Sequence, residues 1–421
     1  MKDSTSNAPA RKVPILIAIL VILSLIGLGL YAGPNLLDAT PPTLTVNGLE
    51  KDGRYRDALT INIAAMDQKP GLGSLTVQVD DAPPTSLRFV EEELIAWTLE
   101  TAALADGLHT VSVTATDGSL HKNQTRHSFP FYIDNTPPTL YVPPETLRVG
   151  QGRTLALLLQ SDEALSGIEG QLFDKAVTFY PTGSDGLYRS FLGVGVTAIP
   201  QNYSLTVRAT DMVGNETKNT FQVHVHKTAF ARGGYITLSP KKQQVMMDRS
   251  KSREDNAKRG AAYAQADREP AQLWEGKFIR PTEGRLTSPF GKYREYNTGV
   301  RRHHYGTDIA NVVGTPIYAS NRGVVSLADR LHIYGNAVII NHGQGISSSY
   351  NHLNEIHVKV EDRVEKGQRV GLMGATGQAT GSHLHWGMVV KGVAVAPEEW
   401  TERDFSSLEI ESLSRLNGAE R

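Results

Sequence analysis

The heptad "TPPTLTV" at 40–46 returns as "TPPTLYV" at 136–142, 96 residues further on. Likewise "VSVTATDGSLHKNQT" at 111–125 is echoed 94 residues later by "LTVRATDMVGNETKN" at 205–219. Two offsets that agree this closely mark two copies of one structural unit. Each copy is built of short alternating runs, among them "LTINIAAMD", "HTVSVTATD", "TLALLLQSD" and "YSLTVRATD", separated by Gly, Pro, Asn and Asp. A period of two places the apolar side chains on one face of a strand, and turn signals at this spacing suit two stacked sheets. Asp117 and Asp211 each close an "ATD" run. No series of further carboxylates at calcium-ligand spacing accompanies them, so they read as turn-capping residues.

The two copies resemble bacterial immunoglobulin-like domains in their Pro-Pro entry, their "ATD" strand ends and their closing "FYID" and "QVHV" strands. The resemblance implies two β-sandwiches, 38–135 and 136–226, acting as spacers or as platforms for envelope protein partners.

Ahead of the first copy, residues 13–37 contain no charged side chain, and "PILIAILVILSLIGLGLYAG" spans 14–33. About 20 apolar residues are enough to cross a bilayer as a helix. Lys2, Arg11 and Lys12 precede the run, with Asp3 the only acid. By the positive-inside rule, residues 1–12 form a cytoplasmic tail, 13–37 a signal-anchor, and everything after residue 38 lies outside the cytoplasm. The run is long for a signal peptide and "LYAGPNLL" lacks a good small-x-small cleavage site, which favours an uncleaved anchor.

From residue 227 to 275 the chain turns polar and charged, with "MMDRSKSREDNAKRGAAYAQADREPAQLW" rich in Ala and Arg. This reads as a helical connector, broken near Gly260, whose charges form a solvated face. Gly and strand-forming residues return over 276–400, and 401–421 reads as a tail with a short amphipathic helix. The 43 basic and 44 acidic residues balance, so the chain lacks the basic footprint of a nucleic-acid binder. There is no cysteine, which leaves His, Asp and Glu as the strong metal ligands available.

Of 13 histidines, eight lie between 303 and 385. In "GSHLHW" (381–386), His383 and His385 share one face of a strand while Leu384 and Trp386 point to a core. In "RRHHYGTDIAN" (301–311), His304 and Asp308 share a face with Gly306 between them, and the glycine leaves room above the backbone. His303 points the other way. His304, Asp308 and one histidine of the pair supply two imidazoles and a carboxylate, a donor set that suits zinc and leaves one position open. The HExxH helix of many metalloproteases does not occur, so the spare histidine and His352 in "SSSYNHLNEI" are the candidates for proton handling.

Several segments now carry a second resemblance: "LTSPFG" (286–291), "HYGTDIA" (304–310), "TPIYASNRGVV" (315–325), "VIINHGQGISSSYNHL" (338–353) and "VKVEDRVEKGQRVGLMGATGQATGSHLHW" (358–386). In order and spacing they resemble the lysostaphin/LytM-type zinc endopeptidases that cut peptidoglycan cross-links. The resemblance implies an antiparallel all-β catalytic domain holding one zinc ion through His304, Asp308 and His385. It implies His352 and His383 as the catalytic pair, and gives His342 neither role. Relatives that have lost some of these residues activate cell-wall amidases without cutting, and that is the alternative function. The stretch "KYREYNTGVRR" (292–302) departs from the shorter proline-containing loop of the family. Since that loop borders the substrate groove, the departure bears on substrate preference.

The expectation is a mainly β, single-pass inner-membrane protein with an N-terminal transmembrane helix, two sandwiches, a helical connector and a periplasmic metallopeptidase domain. Its expected activity is zinc-dependent hydrolysis of peptidoglycan cross-links, with D,D-type stem-peptide bonds favoured over glycine bridges.

Overall fold

The computed structural model describes residues 17, 19–27, 38–50, 53–90 and 93–407. The expected cytoplasmic tail, most of the anchor and the end of the C-terminal tail lie outside the described residues. Residues 19–27 are helical, and among the described residues no helix is long and apolar enough to cross a membrane.

Two compact units divide the chain near residue 137. In the first, a three-stranded sheet (Thr43–Asn47, Ala58–Met66, Ile95–Glu100) and a five-stranded sheet enclose one core. Ile61 and Ile63 from the first sheet meet Leu75, Val111, Val113 and Phe131 from the second, as the alternating pattern requires.

The second unit begins with another pair of sheets over 140–226. Asp211 caps its turn as expected, its Oδ1 accepting the backbone N–H of Val213, Gly214 and Asn215 at 2.9, 2.6 and 2.8 Å. The strand Thr154–Ser161 departs from simple alternation, because nearly every one of its residues is buried. Leu155, Leu157 and Leu159 fill the sandwich core. Ala156 and Leu158, with Phe191, pack instead against Trp274, Phe278, Trp400 and Phe405 of the C-terminal domain. A run apolar at consecutive positions belongs to a sheet covered on both faces. The second sandwich is therefore one packed body with the C-terminal domain, and that domain's core extends past residue 400 to Phe405.

The connector is only partly the solvated helix expected of it. Strand Arg232–Ile236 pairs with Tyr293–Tyr296, and helix Pro240–Met247 follows. The helix Arg249–Arg268 runs unbroken through exposed Gly260. The break falls at Asp248, whose side chain accepts the N–H of Ser250 at 2.9 Å, an N-cap contact that begins the new helix. Asp255, Ala262 and Ala266 are buried, so one stripe of this charged helix lies against the sheet behind it.

That sheet is antiparallel throughout its ten strands. Its middle places Thr307–Ala310 beside His383–Val390, which lies beside Ile346–Ile356. Leu384 and Trp386 enter a core with Ile309, Val338 and Tyr350, which turns the alternate residues of the same strands to the opposite face.

Candidate active site

Asp308 is the direct cross-strand partner of His385, and His385 is in turn the partner of Asn351. Cross-strand partners carry their side chains on one face within about 5.5 Å. His304 joins them from the segment just before Thr307. A Cβ on Gly306 would stand 2.7 Å from the His385 ring, so only glycine lets the ring lie over the backbone there.

Three donor atoms converge. His304 Nε2 lies 2.9 Å from His385 Nδ1 and 3.0 Å from Asp308 Oδ1, and His385 Nδ1 lies 2.9 Å from Asp308 Oδ1. Tetrahedral zinc with bonds of 2.0–2.1 Å sets its ligands about 3.3 Å apart, so this triangle fits the ion with a shift of a few tenths of an ångström. Burial keeps the His304 imidazole below its ordinary pKa and brings His385 down to about 4. Burial also resists ionisation of Asp308, but hydrogen bonds to His304 and His385 hold its carboxyl well below the usual range. All three are thus in the protonation state that binds a metal at neutral pH. The other carboxylate oxygen, Oδ2, accepts from Arg294 Nη2 at 2.5 Å.

The spare histidines stand next to this triangle. The His352 ring centroid is 4.9 Å from that of His383 and 6.1 Å from that of His385. His352 Nδ1 donates to the Thr376 carbonyl at 2.8 Å, and His383 Nδ1 donates to the Gly381 carbonyl at 2.9 Å. Each bond fixes the tautomer and turns Nε2 toward the site. His383 Nε2 stands 3.7 Å from Asp308 Oδ1. His352 has φ 65°, a conformation that non-glycine residues rarely adopt, and its N–H donates to the Tyr334 carbonyl at 2.9 Å. Burial, with His383 and His385 alongside, pushes its pKa down to about 3.

The remaining histidines take other parts. His303 lines the groove outside the donor triangle, its Nδ1 donating to the Gly291 carbonyl at 2.7 Å. His342 is wholly buried against Phe278, between the Arg322 carbonyl at 2.7 Å and Ser348 Oγ at 2.8 Å. His332 and His357 lie beside Glu254 and Glu355.

A groove opens over these residues. Arg294, Tyr296 and Arg302 of the 292–302 segment line it, and so do Gln378 and Thr380 of the segment before His383. Ile236, Leu238 and Met246 of the connector line it as well. Leu238 and Asn297 exchange two hydrogen bonds of 3.0 Å on one side, and Lys242 Nζ donates to the Ala379 carbonyl on the other. This strap fastens both segments. Arg259, from the helix Arg249–Arg268, also lines the groove. No spacing rule links Arg259 or Arg294 to the five site residues. The only sequence signal for Arg259 is its place in the stripe 255, 259, 262, 266, at helical intervals of four, three and four.

Residues 302–397 match the family model of Peptidase family M23. Over 110 residues the chain is 49% identical to the peptidoglycan DD-endopeptidase ShyA of Vibrio cholerae serotype O1, covering 26% of this chain and 25% of that protein. Over 113 residues it is 39% identical to the DD-carboxypeptidase/endopeptidase Mpg of Neisseria meningitidis serogroup B, covering 27% and 26%. Among solved structures, the catalytic domain of lysostaphin from Staphylococcus simulans shares 30% identity over 28% of this chain and 93% of its own, with a TM-score of 0.26. The chain spans about a quarter of the length of these curated relatives.

Proposed function

We propose, from the match of residues 302–397 to Peptidase family M23, that the chain is a zinc-dependent endopeptidase that hydrolyses peptide cross-links of peptidoglycan. The observation that carries the proposal is the convergence of His304 Nε2, Asp308 Oδ1 and His385 Nδ1 within 4.8 Å, beside two further histidines that present Nε2. A zinc ion held by the three donors would lower the pKa of a water at its open position and polarise the scissile carbonyl.

The chain's own residues supply the rest. His352 is uncharged at neutral pH and offers a lone pair on Nε2, so it can take a proton from the attacking water and return it to the leaving amine. His383, oriented the same way by Gly381, stands where it can orient that water and face the charge that develops on the carbonyl oxygen. D,D-type stem-peptide bonds are the proposed target.

The test is incubation of the full-length protein with cross-linked sacculi, with chelator and with zinc restored, followed by mass spectrometry of the muropeptides. New cross-link products that appear only with zinc, and disappear in His385→Ala, are expected. No product from the wild type with zinc present overturns the proposal.

The alternative is a non-catalytic envelope protein that binds peptidoglycan and activates a cell-wall amidase, and the strap across the groove favours it. It requires released glycan strands only when an amidase is added, with His385→Ala as active as the wild type.

The proposal extends to placement. The uncharged run at 13–37 behind Lys2, Arg11 and Lys12 supports a single-pass inner-membrane anchor with the catalytic domain in the periplasm. The two sandwiches would then be immunoglobulin-like spacers that carry the groove toward the wall and offer surfaces to envelope partners.

A further inference from the structure

Four basic side chains line the groove, Arg259, Lys292, Arg294 and Arg302, and Asp308 is the only acid among the lining residues. Arg294 is engaged by Asp308. Arg302 lies on the Tyr296 ring at 5.0 Å. Arg259 differs from these in how it is held.

Its guanidinium carbon sits 3.6 Å from the centroid of the Tyr334 ring, a close stack. Nη2 donates to Tyr263 Oη at 2.6 Å and Nη1 to Asn351 Oδ1 at 3.4 Å. No carboxylate of the described residues forms an ion pair with it. Asp255, one helical turn earlier, accepts the N–H groups of His332 and Ile333 with its two oxygens, at 2.9 and 2.7 Å. A guanidinium has five N–H donors. Held by two hydrogen bonds and a ring stack, Arg259 keeps donors for an anion, and its planar fork matches a carboxylate. Asp255 lies close enough for its charge to favour the guanidinium but is not ion-paired with it, so donors remain that an arriving anion can take.

The position identifies which anion. Asn351 is fully buried, accepts from Arg259 and donates to the His385 carbonyl at 3.0 Å. One side chain therefore separates the guanidinium from the backbone of a zinc-site residue, and Arg259 lines the same groove as the three donors, so an anion bound there shares that groove with the scissile bond. A D,D cross-link joins a D-alanyl carbonyl to the amine of a second D-centre whose own carboxylate is free. A glycine bridge has no such group on its neighbouring carbon. We infer that Arg259 binds the free carboxylate on the carbon that bears the scissile nitrogen, and that this contact selects D,D bonds. The inference rests on the peptidase reading of the same site and supplies its substrate discrimination.

The test uses two synthetic cross-linked stem peptides, identical except that this carboxylate is free in one and amidated in the other. Binding of each to full-length, metal-free protein is measured by calorimetry. KM and kcat are then measured on the zinc-loaded protein. The wild type is expected to bind the free acid about tenfold more tightly and to show a correspondingly lower KM for it. In Arg259→Gln the ratio falls to less than about twofold, while Arg259→Lys keeps part of it. Because each ratio is taken within one protein, a lower folded fraction in a variant does not alter it.

A wild type that binds both peptides equally overturns the inference, as does an unchanged ratio in Arg259→Gln. A loss confined to kcat also overturns it, since that would place the guanidinium on the developing oxyanion. If the wild type prefers the free acid, loses the preference in Arg259→Gln and hydrolyses neither peptide, the peptidase reading fails while the carboxylate site stands.

Discussion

Arg294 holds Asp308 by one oxygen while the other faces two imidazoles. Nη2 reaches Oδ2 at 2.5 Å, and Oδ1 lies 3.0 Å from His304 Nε2 and 2.9 Å from His385 Nδ1. The two oxygens of one carboxylate are thereby divided between an organic cation and the metal position, which restricts Asp308 to one ligand atom. Groups that orient a metal ligand from behind typically change metal affinity by 10- to 100-fold when removed. Arg294→Ala is expected to weaken zinc binding by a factor in that range, read by competition with a chromogenic chelator. Unchanged affinity would show that Asp308 is held by its strand alone.

The four site histidines should separate into two classes by experiment. His385→Ala and His304→Ala lose both zinc and activity. His352→Ala and His383→Ala retain zinc near one equivalent and lose about 10²- to 10⁴-fold in kcat, the usual range for a general acid or base. Metal analysis beside a turnover assay checks this. Zinc loss in His383→Ala equal to that in His385→Ala would exchange the roles of the pair.

Acid should unsettle the fold through its buried imidazoles, and among them His342 lies away from the zinc site. Burial brings its imidazole down to about 4 in the folded chain, against an ordinary value of 6.5. The unfolded chain therefore takes up the proton first, and the stability this group contributes, complete above pH 6.5, drains away as the pH falls toward 4. At pH 5 the loss is about 2 kcal/mol. The wild-type Tm should fall further between pH 7 and pH 5 than that of His342→Gln, both measured with chelator present. Equal falls would remove His342 from the account.

The seam at Phe191 should make the second sandwich and the catalytic domain melt together. Phe191 lies 5.7 Å from Trp274 and 6.2 Å from Trp400, and Trp400 Nε1 donates to Thr154 Oγ1 at 3.1 Å. Trp400→Ala empties a large buried site and is expected to cost about 3–5 kcal/mol. It should lower one calorimetric transition covering both parts. Two separate transitions in the wild type would contradict the shared core.

Releasing the strap should open the groove. Lys242→Ala removes the bond to the Ala379 carbonyl while leaving the five site residues untouched. Hydrolysis of sacculi is expected to rise several-fold, through faster substrate entry. Identical rates would mean that the segment does not limit access.

Much of the site was legible because it is built from local pattern. His383 and His385 alternate with Leu384 and Trp386 on a real strand, and Gly306 provides the clearance its position suggested. Alternation could not say which histidine of the pair holds the metal, since both face the same way. What was illegible depends on packing between distant segments. Arg259 and Asp255 looked like surface charges because a helix stripe of Ala, Asp and Arg carries no hydrophobic signal. The strand Thr154–Ser161 resembles the alternating runs by its punctuation, although its unbroken apolar stretch belongs to a sheet covered on both faces. Gly260 suggests a helix break, but an exposed helical glycine costs only about 1 kcal/mol, and the capping aspartate at 248 decides the boundary.

The aromatic seam bears on how such a chain can be inherited. A recombination event that moved only residues 302–397 would carry His304, Asp308, His352, His383 and His385 into a new host gene. It would leave behind Arg259, Arg294 and the side of the seam formed by Phe191 and Trp274. The transplanted segment would arrive with its ligands but with raw apolar surface and an unsupported carboxylate. To carry this groove with its seam intact, a transferred segment has to run from the second sandwich to Phe405.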